Sequence, residues 1–570
     1  RRAEAGGPRL AGRGGALGAP GAAGGPGASE RLMAAVDARA FDGRSRSPVT
    51  ANGGHGGHST VTLAKGQAVQ LFLEADPLHK TAPLACPMPS ATCGPQVKQS
   101  HGWLEGQIEA PFSSQQYDDQ QADTWPLVQP SRSILFSDRQ GRAAAPLPAR
   151  RMPLWRIRAP SARPPALSLL LVRWGGEHHI GAGVEGDGGW GKWGCPPCDE
   201  YISAMLSQGV ARHPRLGGPD GGLCDFEVHC LFIRNSRDLL DAIPMAPWVA
   251  AGMRGTKKVS FWMLWPAEWE DSGGSDYAGY VERRAMFSCM RAFESAGVRS
   301  GFPHPADLYE LVTSKSWMAS LALDPKVQLP AAVHVSKASA LADSQRAAWQ
   351  ALVGMEHIRK RNPFPAGPGE RALSDVNKEG IKKGVVKLGW SWEGRFVLMW
   401  EGQDQLASRL LDSLTQPGCI ASSCIVQEWV DFDFEMRLYF LPTDEWLPGT
   451  RLVPTKVECN SWGGFSNEGR PHTFRKLTQE MCLEWWEQDA AALRSATEQA
   501  TELGQHLLTW LLAMDSQPVP MVRMDFMVTR LGPGKARVVF GEYCELGACC
   551  LAWENGPPTI WRAAIDCALR

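Results

Sequence analysis

A lysine ends a short apolar run and is followed by a loop that contains glycine. Val385 and Val386 precede Lys387, and Gly389 and Gly394 lie in the loop that comes next. A backbone that closely approaches phosphate favours glycine, and a lysine ammonium is a point charge that suits phosphate oxygens. The segment therefore predicts a strand and a glycine loop that bind phosphate; an ordinary lysine on an edge strand is the alternative.

A second candidate segment is extended and apolar and lies about forty residues further along the chain. Its consecutive residues are Gln427, Glu428, Trp429 and Val430. Such a segment can hydrogen-bond adenine through its backbone and stack it on apolar side chains. Glu435 and Arg437 follow, and on a strand their side chains share one face. We expect Glu435 to bind ribose hydroxyls and Arg437 to meet a phosphate or an acyl phosphate; the exposed polar face of a half-buried strand is the alternative.

A charged pair, Arg523 and Asp525, interrupts the apolar segment 522–528. Charges in such a strand are costly unless they are paired or bind a ligand. A Gly-Pro-Gly turn and a second apolar run lead to Glu542 and Glu545, which predicts a β-hairpin that brings Glu542 near Asp525. Converging carboxylates beside a triphosphate are what Mg²⁺ requires, so we predict a magnesium site at Asp525, Glu542 and Glu545. A structural ion-pair network is the alternative.

Taken in order, these segments resemble the ATP-grasp enzymes, of which the D-alanine–D-alanine ligases are an example. The order is a lysine with a glycine loop, a hinge with an acidic residue, an Arg-x-Asp strand and a strand that ends in glutamate. The resemblance covers residues from about 300 to 565, nearly half of the chain. It implies an ATP-grasp fold that binds ATP and Mg²⁺, and a ligase that joins a carboxylate to an amine through an acyl phosphate.

The resemblance also implies which residues bind the nucleotide. Lys387 would bind the α- and β-phosphates, and the loop with Gly389 would close over them. The segment 428–430 would be the adenine hinge, with Gln427 directly before it, and Glu435 would contact the ribose. Lys315 resembles the family's earlier nucleotide-binding lysine, placed at the start of a helix, where an anion is favoured.

For the metal and the transferred phosphate, the resemblance implies that Asp525 and Glu542 hold Mg²⁺. Arg523 would stabilise the charge that develops as the γ-phosphate moves to a carboxylate. The family's last strand usually carries asparagine two residues after its glutamate, whereas this chain has Cys544, a poor Mg²⁺ ligand. Glu545 would serve instead if the strand bulges.

The elements that position these residues follow from hydrophobic periodicity. In the C-terminal half, strands are predicted at 385–388, 396–400, 425–430, 435–441, 522–529 and 536–541, and helices over 306–322, 336–360 and 478–514. Upstream, strands at 166–174, 226–234 and 258–265 are interspersed with helices over 236–242 and 276–296. Such alternation favours an open α/β unit.

The expected fold class is α+β or α/β, with four segments along the chain. They are a disordered Gly-, Ala- and Arg-rich tail (1–60), a poorly ordered or small accessory region (61–165), a small α/β domain (166–305) and an ATP-grasp domain (306–565). The tail cannot bury enough apolar surface to offset its chain entropy.

Composition limits the classes of partner. The 570 residues have a formal net charge of −1, which gives no support to a nucleic-acid partner, and no apolar run is long enough to span a membrane. The fifteen cysteines are scattered over a long chain, so we interpret them as reduced thiols of an intracellular, cytoplasmic protein. A transit peptide at the Arg- and Ala-rich start is the alternative.

Two questions stay open at the level of sequence. Cys195 and Cys198 form one CxxC pair, but a zinc site needs four ligands, so a tight proline turn with free thiols is preferred over zinc. The partner is either a small-molecule carboxylate substrate or another protein. In the second case the chain would be an ATP-grasp-fold assembly chaperone, or a pseudo-enzyme, rather than a ligase.

Overall fold

A computed structural model describes the larger part of the chain. The described residues are 62–73, 95–113, 115, 117, 121–130, 149–152, 157–158, 161, 163–174, 213, 216, 226–269, 280–364, 380–391, 397–441, 453–462, 474–515, 519–544, 553 and 555–570. They belong to one compact unit, Val61–Arg570. The predicted tail 1–60 and the pair Cys195 and Cys198 lie outside them.

Strands are numbered in chain order. They are β1 (Thr62–Leu63), β2 (Ala68–Leu73), β3 (Gln96–Ile108), β4 (Phe112–Ser113), β5 (Leu127–Pro130), β6 (Arg150–Arg151), β7 (Ile157–Arg158), β8 (Leu167–Trp174), β9 (Phe226–Ile233), β10 (Lys257–Met263), β11 (Trp265–Ala267), β12 (Tyr280–Glu282), β13 (Arg299–Phe302), β14 (Ala332–Ser336), β15 (Lys383–Lys387), β16 (Leu398–Glu401), β17 (Ser423–Glu428), β18 (Phe434–Phe440), β19 (Lys456–Trp462), β20 (Phe474–Leu477), β21 (Val522–Gly532) and β22 (Lys535–Cys544).

The α-helices are numbered in the same way. They are α1 (Ser236–Ala242), α2 (Ala246–Gly252), α3 (Arg283–Ser295), α4 (Ala306–Thr313), α5 (Trp317–Leu321), α6 (Lys337–Ala342), α7 (Ser344–Arg361), α8 (Gly402–Thr415), α9 (Gln479–Trp485), α10 (Ala490–Met514) and α11 (Gly556–Ala568). None of these helices combines the length and the apolar character needed to cross a membrane.

The first large sheet joins a parallel half to an antiparallel half. Its order is β13-β10-β8-β9-β3-β2-β7, and β5 connects β3 to β6. Strands β9, β8, β10 and β13 run parallel, whereas β3 and β2 are antiparallel to their neighbours. The residues of β8 from Leu167 to Val172 are fully buried, as expected of a parallel strand covered on both faces. Strands β2 and β3 come before residue 165 and β8 comes after it, so this one sheet includes residues from both sides of the predicted boundary at 165.

Helices cover both faces of this sheet. Leu170 and Val172 of β8 pack into the cluster that includes residues of α1, α2 and α3, whereas Leu169 and Leu171 pack into a cluster with α11. On the α11 side, the Trp561 ring lies 5.9 Å from the ring of Phe261. The C-terminal helix therefore packs on the α/β unit, although the predicted ATP-grasp segment ran to residue 565.

Two smaller antiparallel sheets follow in the C-terminal half. The four-stranded sheet has the order β14-β17-β15-β16, and the five-stranded sheet has the order β20-β19-β18-β21-β22. Helices α7 and α8 pack on the first, and α10 packs on the second. Gly504 lets α10 approach closely, because a Cβ there would stand 2.8 Å from the Phe440 ring. The predicted mixture of helices and sheets, an α/β unit followed by an α+β part, is confirmed.

Three helices that periodicity predicts as continuous are interrupted, so those predictions are wrong. The helix over 478–514 breaks between α9 and α10, where Glu487 and Gln488 have φ of 52° and 63°, outside the helical region. The helix over 306–322 breaks at Lys315, which has φ of 57°. The helix over 336–360 breaks at Asp343, which caps α7 by accepting the backbone N–H of Arg346.

Candidate functional site

The four-stranded sheet presents Lys387 on the face opposite its helices. Val386 pairs with Val426 on neighbouring strands, and both pack into the core under α7 and α8. Because side chains alternate along a strand, Lys387 and its partner Ile425 point to the other face, and so does Gln427. This face therefore presents the ammonium group of Lys387 next to an apolar surface.

The five-stranded sheet carries a matching polar face. Phe434, Met436 and Leu438 of β18 pack into the core with α10, which leaves Glu435 and Arg437 on the opposite face. Arg437 stands directly across from Asp525 on β21, and Asp525 stands across from Glu542 on β22. The alternation read from the sequence thus places these charges on one face of one sheet.

Four of these charges form a buried network. Arg523 donates from Nε to Oδ1 of Asp525 at 2.9 Å and from Nη2 to Oδ2 at 2.8 Å. Arg437 donates to Glu435 at 2.7 Å and lies 3.7 Å from Asp525. Each of the four side chains is at most 10% exposed. Two cations and two anions therefore balance each other inside the sheet face.

Burial raises the pKa of Asp525 to about 6, although Arg523 and Arg437 favour the ionised form. Desolvation of the buried carboxylate therefore outweighs the attraction of the two arginines. For Glu542, desolvation raises the pKa, but the nearby cations, Lys315 and Lys387 first, outweigh it. The pKa of Glu542 therefore lies below its ordinary value.

Lys315 connects the two sheets. It lies between α4 and α5, and its Nζ is 3.4 Å from Oε1 of Glu542 and donates to the carbonyl oxygen of Ser391 at 2.8 Å. Burial, and after it the neighbouring Lys315, lowers the pKa of Lys387 to about 8. A positive φ is unusual for a lysine, and strained residues of this kind cluster at functional sites.

The residues of the predicted adenine hinge differ in what their side chains and backbone groups contact. The Glu428 side chain is buried, where it pairs with Arg359 of α7 and accepts the backbone N–H of Ala331 at 2.9 Å. The backbone N–H groups of Glu428 and Trp429 donate to neighbouring strands, to Ala331 and Lys383 respectively. The Glu428 carboxylate therefore holds the helix to the sheet.

Gln427 presents a different environment. Its side chain is 6% exposed, and its Nε2 has no hydrogen-bond partner among the residues that the structure describes. A buried amide without a partner costs free energy, which a bound acceptor would recover. Val430, two residues beyond the end of β17, is also buried.

The Arg359–Glu428 pair should contribute to stability rather than to chemistry. Arg359 also donates to the carbonyl oxygen of Asn362 at 2.7 Å and stacks on the Phe364 ring at 3.4 Å. Arg359→Lys keeps the charge but loses the planar fork and the stacking, so we expect a loss of about 1–2 kcal/mol in the free energy of unfolding. Urea unfolding measures it, with the exposed Arg361→Lys on the same helix as the control; equal stability of the two variants would contradict the assignment.

Two further members of the polar face were not singled out in the sequence. Glu458 on β19 stands opposite Arg437 and accepts a hydrogen bond from the Tyr439 hydroxyl at 2.9 Å. Asn460, two residues later, stands opposite Glu435 and is completely buried. Alternation of Glu458 and Asn460 along one strand was the signal that could have identified them.

The predicted metal ligands form no ready-made cage in the part of the chain that the structure describes. No group of three or more His, Cys, Asp or Glu side chains there is arranged to hold an ion. Asp525 and Glu542 are register neighbours, Cys544 is 8% exposed, and Glu545 lies outside the described residues. Two carboxylates are nevertheless compatible with Mg²⁺, which is usually held by one or two of them together with substrate phosphates.

No protein-family model matches the sequence, and no curated protein matches it. Solved structures that are similar to the chain include three ligases or synthetases. D-cycloserine synthetase DcsG is 14% identical with a TM-score of 0.39, covering 70% of this chain and 99% of its own. A D-alanine–D-alanine ligase from Bacillus anthracis in complex with ATP is 10% identical with a TM-score of 0.35, covering 71% and 98%. VanG D-Ala:D-Ser ligase from Enterococcus faecalis is 12% identical with a TM-score of 0.37, covering 70% and 99%. D-alanine–D-alanine ligases, which the sequence motifs resemble, are therefore among the structures similar to this chain.

Proposed function

We propose that the chain binds Mg²⁺-ATP between the four-stranded and five-stranded sheets and uses it to activate a carboxylate. One observation carries this proposal: Lys315 contacts Glu542 of one sheet and lies beside Lys387 of the other. Glu542 offsets the repulsion between the two lysines only in part, because the pKa of Lys387 stays low, and a phosphate beside them would offset it further. Two lysines, one on the four-stranded sheet and one between α4 and α5, together with two carboxylates of the five-stranded sheet suit a polyphosphate with its cation.

The nucleoside would occupy the apolar part of the cleft. Ile425 and Val385 are buried on the same face of the four-stranded sheet as Lys387, outside the hydrophobic core clusters. Adenine would lie on this surface, where the unpartnered Nε2 of Gln427 can donate to a ring nitrogen. Trp429 and Val430 would supply the hinge backbone, and Glu435 would face the ribose.

For the metal, Asp525 and Glu542 would be the protein ligands. A cation beside Asp525 would favour the ionised carboxylate and offset the burial that raises its pKa. When bound, Mg²⁺ would neutralise phosphate charge. The thiol of Cys544 is a poor ligand for such an ion, so this chain would rely on the two carboxylates.

The reaction proposed is a two-step ligation. A substrate carboxylate oxygen attacks the γ-phosphorus of ATP, the bond to the β-phosphate oxygen breaks, and ADP leaves. An amine then attacks the acyl carbon, inorganic phosphate leaves and the nitrogen loses a proton. Arg523 and Arg437 would stabilise the phosphoryl charge, so catalysis would rest on positioning and electrostatics rather than on a side-chain nucleophile.

The test has two parts. Calorimetry with ATP, in the presence and absence of Mg²⁺, measures nucleotide binding, and ADP release with panels of carboxylates and amines measures ligation. We expect ATP binding that requires Mg²⁺ and ADP release that requires the amine. Asp525→Ala should abolish both. Unchanged activity in Asp525→Ala would contradict the metal assignment, and absence of ATP binding to the wild-type protein would contradict the proposal.

A binding function without ligation is the second candidate. Cys544 stands where a second metal ligand is expected from the family resemblance, and both arginines of the site are already paired with carboxylates. An assembly chaperone or pseudo-enzyme would use ATP to hold a protein partner. ATP binding without ADP release for any carboxylate and amine pair, together with an ATP-dependent partner in pull-down experiments, would favour it.

A further inference from the structure

Residues 388–391, which follow Lys387, form the phosphate loop. This name, and the inference drawn from it, rest on the function proposed above. Side chains from outside the loop's own sheet hold it. The Arg283 guanidinium of α3 stacks on the Trp390 ring at 4.0 Å, and Trp390 Nε1 donates to Thr313 Oγ1 at 3.1 Å. Together with the bond from Lys315 to Ser391, these contacts come from α3, α4 and the turn after α4. The position of the loop is therefore set by the α/β unit as well as by its own strand.

Glu268, directly after β11, lies at the centre of these contacts. Its carboxylate accepts a hydrogen bond from Nε of Arg283 at 3.2 Å and lies beside the backbone of Trp390, and its side chain is 4% exposed. Its own backbone oxygen accepts the N–H of Ile420 at 3.0 Å, which fixes it on the opposite side. Glu268 thus bonds to α3 and to the segment before β17, and it reaches the loop through Arg283, which stacks on Trp390.

The loop backbone approaches this contact closely. A Cβ added at Gly389 would stand 2.7 Å from the carbonyl oxygen of Ser314 and 3.7 Å from Oε2 of Glu268. Only glycine fits such a gap without displacing its neighbours. The loop backbone at Gly389 therefore packs tightly against Ser314 and lies at ordinary contact distance from the Glu268 carboxylate, and Arg283 holds the Trp390 ring.

We propose that Glu268 is a positioning residue for the phosphate loop, holding its backbone in the conformation that receives ATP phosphates. Glu268 would not contact the phosphates, because its carboxylate faces Arg283 and the loop backbone. Preorganised backbone lowers the entropy lost on binding. Loss of Glu268 therefore weakens ATP binding more than it slows the chemical step.

The groups around Glu268 make its contact with Arg283 depend on pH. Arg283 and Arg284 favour the ionised carboxylate; Glu310 pairs with Arg283, while the thiols of Cys419 and Cys424 lie nearby. Burial outweighs the arginines and raises the pKa of Glu268 to about 7. Below that pH the protonated group loses its attraction for Arg283, so the loop is held more tightly as pH rises through about 7.

The experiment compares Glu268→Ala and Glu268→Gln with the wild-type protein. Hydrogen exchange of peptides covering 388–391, measured without nucleotide, reports loop order directly. We expect exchange in Glu268→Ala to be about tenfold faster and the KM for ATP about tenfold higher, with kcat within about twofold, as for one lost charged hydrogen bond. Glu268→Gln keeps an acceptor for the Arg283 guanidinium and should lie between the two, without the pH dependence of KM near 7.

Glu401→Gln, an exposed carboxylate on β16 of the same sheet, is the matched control and should change neither quantity. Wild-type exchange rates in both Glu268 variants would overturn the inference, as would a pH dependence of KM that persists in Glu268→Gln. A wild-type protein that binds no ATP would overturn the proposed function instead, and faster exchange in the variants would still support the positioning of the loop. If Glu268→Ala does not fold, Glu268→Gln supplies the same comparison.

Discussion

Arg523→Met should lower the free energy of unfolding by about 3 kcal/mol and reduce turnover by at least about 100-fold. The side chain is 6% exposed and donates two hydrogen bonds to Asp525. Its removal leaves Asp525 buried, with Arg437 at 3.7 Å as the remaining cation among the described residues. An uncompensated buried carboxylate is costly, and the developing phosphoryl charge loses a cation at the same time.

The stability loss should depend on pH in a defined direction. Arg523 lowers the pKa of Asp525, so Arg523→Met raises that pKa further above its present value of about 6. The deficit is therefore greatest above the raised pKa, where Asp525 must stay ionised, and it shrinks as pH falls and the carboxyl is protonated. Urea unfolding at pH 8 and at pH 5 measures both values.

Arg409→Met is the control for this comparison. Arg409 pairs with Asp412 at 3.0 Å on the surface of α8, and both side chains are about one-third to one-half exposed. Such a pair contributes roughly 0–1 kcal/mol, with little change between the two pH values. If Arg523→Met were as stable as Arg409→Met at pH 8, the buried network would not have the energetic role assigned to it.

The alternation of charged and apolar residues was enough to predict the polar face of the five-stranded sheet. Glu435 and Arg437 share a face because they are two residues apart, and the hairpin brings Asp525 opposite Glu542. Both relations are local in sequence, and the period of a strand determines them.

Relations between distant segments were not predictable in this way. The carboxylate of Glu428 belongs to the segment that suggested an adenine hinge, yet it pairs with Arg359 from a helix 69 residues earlier. The contact depends on how α7 packs against β17, which no local pattern specifies. Glu268 likewise reaches the phosphate loop from the α/β unit, 122 residues before Trp390 by sequence number.

Backbone conformation also limited how well the helices could be predicted from the sequence. Apolar periodicity continues through Lys315, Glu487 and Gln488, so a helix was predicted across each of them. All three adopt positive φ, which interrupts the helix and is not encoded by glycine at these positions. At Lys315 the interruption has a consequence for the site, because it directs the ammonium group to Glu542 and Ser391.

Lys387→Met should change nucleotide affinity and stability in opposite directions. Loss of a charged contact to phosphate should weaken ATP binding by about 10- to 100-fold. Without nucleotide, the same substitution removes a desolvated cation whose pKa burial and Lys315 lower to about 8. We therefore expect the ligand-free variant to be more stable by about 1–2 kcal/mol. Substitution of a residue with only a structural role would not be expected to weaken ATP binding and raise stability at the same time.

The wild-type protein offers a pH test of the same residue. Because the pKa of Lys387 is about 8 in the ligand-free protein, ATP affinity should be greatest below pH 8 and should fall as the ammonium group loses its proton above it. Calorimetry at pH 7 and pH 9 measures this fall, which Lys387→Met should lack. The exposed Lys360→Met on α7 controls for loss of a lysine far from the cleft. Equal ATP affinity in Lys387→Met and Lys360→Met would exclude Lys387 from phosphate binding, whereas the combination of weaker binding and higher stability is expected only where a cation is held in place for an anion.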